Sequence, residues 1–90
     1  MLKLYQTKDF HKDLKRLRRR GYDMSKLDEI LAKLQNEEPL APKYRDHAMK
    51  GDCKGYRDCH IEPDWLLIYK INNNELILTA LRTGTHSDLF

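Results

Sequence analysis

Ninety residues suit one small domain, 1–90, with a modest hydrophobic core. Apolar residues at 40% and charged residues at 34% exclude a disordered chain, and no apolar run approaches the ~20 residues of a membrane helix. A formal net charge of +3 is a mild bias toward polyanions that names no partner by itself.

The N-terminal residues Met1–Gln6 lack the apolar segment of a secretory signal, so a cytoplasmic location is expected. Leu2 and Leu4 read as a short first strand. Thr7 is placed to cap a helix, with Asp9 in its first turn where the dipole favours an anion. Phe10, Leu14 and Leu17 recur at helical spacing, and Gly21 suits a left-handed cap at the helix end. Ser25 with Asp28 resembles a capping box for a second helix, whose buried face is Leu27, Ile30, Leu31 and Leu34, with Pro39 beyond its end. The short link predicts an antiparallel helical hairpin.

After Pro42 the texture changes to strands. Residues 43–50 offer a short one, Tyr56–Ile61 a second, and Trp65–Tyr69 a central third that is apolar on both faces. Glu75–Leu81 is the last. Glu62-Pro63-Asp64 and Asn72-Asn73-Asn74 are the turns between them. The expected fold is α+β: an N-terminal strand, the helical hairpin, then an antiparallel β-meander with both helices on one sheet face. Cys53 and Cys59 are too few for a disulfide framework and are not spaced as CxxC. Both read as reduced, with Cys59 in the core.

Charge is unevenly spread. Lys12, Lys15, Arg16, Arg18, Arg19 and Arg20 crowd the first helix, where the plain reading is a solvated face. Three of the four histidines, His47, His60 and His86, fall in the sheet half near strand ends or turns. If Cys59 and Ile61 face the core, pleat alternation turns His60 outward. Asp64 follows across the turn, close enough to orient or charge it. The same parity test is silent for Arg82, because the last strand is apolar at both parities.

Gathered on one sheet face, His47, His60, Asp64, Arg82 and His86 form a set suited to metal-free RNA cleavage. A base must take the 2′-hydroxyl proton, an acid must protonate the departing 5′-oxygen, and a fixed cation must hold the phosphate. Histidine titrates near neutrality and can do either proton task. Arginine stays charged and grips phosphate through a planar fork. An aromatic such as Phe90 can stack on an unpaired base. The products would be a 2′,3′-cyclic phosphate and a 5′-hydroxyl. Against this stand plainer readings. A lone histidine is more often a surface or structural residue, and Arg82 could pair with a sheet carboxylate. Trp65 is more often core than ligand contact. A zinc site from the histidines and Asp64 fits no standard ligand spacing.

The segments Asp46-His47-Ala48-Met49-Lys50-Gly51, Lys54-Gly55-Tyr56-Arg57-Asp58-Cys59-His60-Ile61-Glu62-Pro63-Asp64-Trp65 and Leu67-Ile68-Tyr69-Lys70 resemble the YafQ-type branch of the RelE/ParE toxins. So does the ending Arg82-Thr83-Gly84-Thr85-His86-Ser87-Asp88-Leu89-Phe90. The resemblance is specific from Asp46 onward, while the helical half matches in pattern. It implies a RelE-like fold and an mRNA interferase of a type II toxin–antitoxin pair, working in the ribosomal A site without a cofactor or metal. It implies His47, His60, Asp64, Arg82 and His86 as active residues. Arg82 would hold the phosphate, His86 would be the acid, and His60 or His47, tuned by Asp64, the base. Trp65 and Phe90 would support substrate binding, Trp65 by bracing the site. The basic helix then gains a use, with Lys15, Arg16, Arg19 and Arg20 gripping ribosomal RNA phosphates. The implied partners are ribosome, mRNA and an inhibitory DNA-binding antitoxin, with operator DNA reached only through that complex. No member of the active set is missing, which disfavours the gyrase-poisoning ParE branch. Two other classes remain as alternatives: a non-catalytic regulator working through the basic helix, which charge reversal at Arg16 and Arg19 would disable, and a gyrase inhibitor, which a supercoiling assay would expose.

Overall fold

The computed structural model describes residues 1–51 and 55–90; Cys53, Asp52 and Lys54 lie outside the described residues. Strand β1 (Lys3–Gln6) leads into helix α1 (Lys8–Arg19). Thr7 makes that corner. Its hydroxyl oxygen accepts from the Phe10 amide at 3.1 Å while its hydroxyl donates to the Leu81 carbonyl at 2.8 Å. One side chain thus caps the helix and ties it to the sheet. At the far end Gly21 takes φ +82°, and the Gly21 and Tyr22 amides donate back to Arg18 and Leu17. That paired closure of the last turn needs the left-handed residue that glycine supplies.

Helix α2 (Met24–Gln35) follows after four linking residues, and here the cap differs from expectation. Asp23, not Ser25, is the capping residue. Its carboxylate accepts from the Ser25 amide at 3.0 Å and the Ser25 hydroxyl at 2.6 Å. Ser25 already lies inside the first turn, where its hydroxyl serves the cap.

Residues 43–50 divide into a 3₁₀ turn at Pro42–Tyr44, Arg45 in a left-handed conformation, and a two-residue strand β2 (His47–Ala48). Then come β3 (Arg57–Glu62), β4 (Trp65–Asn72) and β5 (Ile77–Gly84). The last strand begins later than Glu75 because the Asn72 side chain accepts from the Asn74 and Glu75 amides, and Leu76 turns left-handed at φ 57°. It ends later than Leu81 because Arg82, Thr83 and Gly84 pair with Ile68, Leu67 and Leu66. A short helix α3 (His86–Leu89) closes the chain.

The sheet order is β1-β5-β4-β3-β2. Strands β2 to β5 form the expected antiparallel meander, and β1 adds a parallel edge beside β5. The apolar stripes of both helices pack on one face, against Cys59, Leu67, Tyr69, Leu78 and Ala80. Each such leucine or phenylalanine contributes about 1.5–3 kcal/mol when fully buried. Cys59 is a core residue, and burial pushes its thiol up to about 12. Among the described residues no helix is long and apolar enough to cross a membrane.

Candidate functional site

The opposite face of the sheet is set by register. Directly paired residues of antiparallel strands share a face. His47 pairs with Asp58, Asp58 with Ile68, and Ile68 with Arg82, so these four make one row across β2, β3, β4 and β5. The next row runs His60, Leu66, Gly84, and α3 starts immediately after it. Neighbouring strands lie ~4.8 Å apart. His60 is therefore near the start of α3, whereas the backbone of His47 is about three strand spacings, ~14 Å, from that of Arg82.

Helix α3 brings His86 and Phe90 over this end of the sheet. The His60 and His86 rings are 5.8 Å apart between centroids, and His86 and Phe90 are 6.3 Å apart. Asp64 joins them from the β3–β4 turn, but its partner differs from the one expected. It accepts from His86 Nδ1 at 2.8 Å and from the His86 amide at 3.1 Å, and these bonds lower its own pKa. Asp64 therefore orients His86, not His60. The Nδ1 of His60 lies 3.2 Å from the Pro63 carbonyl instead. His47 Nδ1 lies 2.6 Å from the Arg45 carbonyl, while Nε2 faces Asp58 Oδ1 at 3.3 Å without a hydrogen bond. The segment before it is anchored by Asp46, which accepts from the Tyr69 hydroxyl and lies beside Arg57.

Arg82 is paired, though not with a sheet carboxylate. Its Nε and Nη2 donate to Asp13 of α1 at 2.7 and 3.1 Å, and the pairing raises its pKa further. Strand β1 ends alongside Ala80, so the helix covers β5 beyond that point and supplies the acceptor. Between Arg82 and Phe90 lies a groove of about 380 Å³, lined mainly by apolar groups that include Met49, Tyr56, Ile68 and Leu89. Phe90 is 70% exposed and free to stack.

Trp65 requires a correction as a substrate-binding residue. It is 1% exposed, its ring meets Tyr22 edge-on at 5.0 Å, and its Nε1 donates to Thr83 Oγ1 at 2.9 Å. Such a ring lies beneath the surface and braces it rather than being presented on it. The four basic residues assigned to RNA contact also divide. Lys15 and Arg19 are exposed. Arg16 donates to Asp13 at 2.8 Å, and Arg20 forms a two-point pair with Asp88 at 2.8 and 3.1 Å. These two arginines are committed to carboxylates of this chain.

Asp13 and Asp88 are the residues that sequence reasoning missed. Asp88 accepts from the Thr85 amide at 3.0 Å while Thr85 Oγ1 accepts from the Asp88 amide at 3.1 Å, a reciprocal cap that holds α3. The motif Thr85-x-x-Asp88 was the available signal. Gly84 permits the close approach, since a Cβ there would sit 2.9 Å from Asp88 Oδ2. The hydrogen bond from Arg20, with the Thr85 bonds, holds the Asp88 carboxyl well below the usual carboxylate range. A depressed folded pKa gives stability that is complete above the ordinary aspartate value of about 3.9 and is lost as pH falls through the lower folded value. Asp88→Ala therefore destabilises by about 1 kcal/mol near neutrality, the typical worth of a cap. In melting curves the gap between parent and variant should close as pH falls below about 4. A gap that stays constant down to pH 2 would contradict this account.

Among the described residues no group of three or more His, Cys, Asp or Glu is placed to hold a metal ion. What the arrangement offers is two imidazoles, a fixed guanidinium and an exposed aromatic on one surface.

Known proteins carry the same framework. Residues 2–90 match the family described as bacterial toxin of type II toxin–antitoxin system, YafQ. The chain is 46% identical over 82 residues to the mRNA interferase toxin YafQ of Escherichia coli (strain K12), covering 90% of this chain and 87% of that one. It is similar to a metal-bound toxin from Helicobacter pylori, at 47% identity over 100% of both chains with a TM-score of 0.94. It is also similar to a chain of the E. coli DinJ–YafQ complex, at 42% identity over 100% of this chain and 99% of that one with a TM-score of 0.90. With the whole described fold and the C-terminal histidine segment inside that match, the chain belongs to the YafQ family of type II toxin–antitoxin toxins.

Proposed function

We propose that this chain is an mRNA interferase, an endoribonuclease that cuts mRNA in the ribosomal A site and so stops translation. It works in the cytoplasm and is held inactive by a cognate antitoxin, as the DinJ–YafQ pairing of its relative suggests. The observation that carries the reading is the approach of the His60 and His86 rings to 5.8 Å on the surface that Arg82 and Phe90 share.

Hydrogen bonding divides the roles. A carbonyl oxygen only accepts, so His60 Nδ1 donates to Pro63 and Nε2 is the atom left to meet the 2′-hydroxyl. His47 Nδ1 likewise donates to a carbonyl, but its Nε2 faces Asp58 and its strand lies three spacings from Arg82, away from the other groups. The base is therefore His60. His86 Nδ1 donates to Asp64, which directs its proton transfer through Nε2. The 2′-oxygen attacks phosphorus as His60 takes its proton. The P–O5′ bond breaks as protonated His86 gives its proton to the departing oxygen. Arg82 neutralises the charge gathering on the phosphate. Lys15 and Arg19 supply salt-sensitive contacts to ribosomal RNA phosphates.

Primer extension on messages from cells expressing the protein tests this. In-frame cuts within translated messages are expected, with 2′,3′-cyclic phosphate ends. Arg82→Ala should slow cutting about 10²–10³-fold, the typical cost of one oxyanion-stabilising donor. Cutting by Arg82→Ala at the parental rate, or cutting of untranslated message alone, would overturn the proposal.

A further inference from the structure

We infer that Asp13 is a positioning residue that fixes the Arg82 guanidinium edge-on and leaves its opposite edge for the scissile phosphate. The inference rests on the reading of Arg82 as the phosphate-binding group and names what aims it.

Asp13 lies in the middle of α1 and is 1% exposed. A carboxylate so placed must find partners for its charge. It has four. Oδ2 accepts from Arg82 Nε at 2.7 Å and the Thr83 amide at 3.0 Å; Oδ1 accepts from Arg82 Nη2 at 3.1 Å and Arg16 Nη2 at 2.8 Å. An ionised carboxylate offers about four lone-pair sites, so each is used. The Thr83 amide matters most. It belongs to the strand that carries Arg82, on the edge that β1 leaves uncovered beyond Ala80. Asp13 therefore bridges the backbone of β5 and the side chain of Arg82, so the guanidinium plane is set relative to its own strand.

Arginine otherwise has a long, freely rotating stem. Here two of its roughly five N–H groups are fixed by Asp13. Those on Nη1 and the second on Nη2 point away from the carboxylate, as a fork of the kind that meets phosphate oxygens. The Arg82 side chain remains 36% exposed and lines the groove that Met49 and Phe90 share, so a ligand there can meet it. Asp13 touches no substrate and acts through Arg82.

The test is a double-mutant cycle in single-turnover cleavage on mRNA-programmed ribosomes. Asp13→Asn is expected to lower the rate at saturation about 10²-fold, as a misaimed group does, with little change in the concentration for half-saturation. Arg82→Ala should cost at least as much, and the double variant should be no slower than Arg82→Ala alone. An intact Asp13→Asn rate beside an impaired Arg82→Ala overturns the inference and leaves the role of Arg82 standing. Losses that multiply do the same, since a merely structural Asp13 would weaken both backgrounds equally. A parental rate for Arg82→Ala defeats the role of Arg82 and the inference together. Should Asp13→Asn fail to fold, arginine side-chain NMR of the unaltered protein decides. The Arg82 Nε–H should be protected from solvent exchange, both free and with excess of a short 2′-deoxy oligonucleotide. Loss of protection in either state overturns the inference.

Discussion

Replacing His86 with alanine lowers RNA cleavage about 10²–10⁴-fold, the usual worth of a positioned acid, and leaves the fold nearly untouched. The two halves of that expectation have separate causes. The His86 side chain is 56% exposed and its partner Asp64 is 68% exposed, so removing the ring strands no buried charge. Alanine is also the best helix former for the first turn of α3. A surface change of this kind moves the melting temperature by at most about 4 °C in so small a domain. The rate falls because the leaving oxygen must then depart without a proton from Nε2. His60→Ala should fall in the same range. Because the two rings serve one phosphodiester, the double variant should lose far less than the product of the single losses. A parental cleavage rate for His86→Ala, with the variant folded, would remove the proposed acid.

Trp65→Ala is expected to lose about 3–5 kcal/mol of stability, much of what a small domain possesses. The indole is 1% exposed, so its loss opens a cavity, ends the edge contact with Tyr22 and leaves Thr83 Oγ1 without its donor. Urea unfolding should show the midpoint shift, and growth arrest should fade because folded protein is scarce. Trp65→Phe separates this from a role in chemistry. It keeps most of the apolar volume, loses one hydrogen bond, and should cleave near the parental rate while melting earlier. A folded Trp65→Phe that no longer cleaves would restore Trp65 to the substrate-contacting residues.

The parts of this molecule that were legible in its sequence are those fixed by neighbours along the chain. The stripe Phe10, Leu14, Leu17 and the stripe Leu27, Ile30, Leu31, Leu34 describe the buried faces of both helices, and each of these residues is buried. Gly21 ends α1 as its position implied. Pleat alternation around Cys59 and Ile61 turned His60 outward. What stayed hidden depends on partners far away. Asp13 is one acid in a basic helix until residues 69 and 70 positions later supply Arg82 and the Thr83 amide. The choice of Asp64 between His60 and His86 is made by where α3 lands, and the sequence reading contained no α3. Arg20 looked like free charge because its partner Asp88 lies 68 residues beyond it, whereas the Arg16 pairing with Asp13, three residues before it on the same helix, was within reach of the sequence.

The join between β1 and β5 bears on how this protein is made. Thr7 and Leu81 meet across 74 residues, and the pairing of Lys3 with Ile77 must wait for nearly the whole chain. Contacts so remote in sequence form slowly and late. Arg82 lies near the end of that closing strand and His86 follows it. A message broken off ahead of them yields a fragment with helices and a partial sheet but without the two groups proposed to hold the phosphate and donate the proton, so interrupted synthesis is expected to give no cutting.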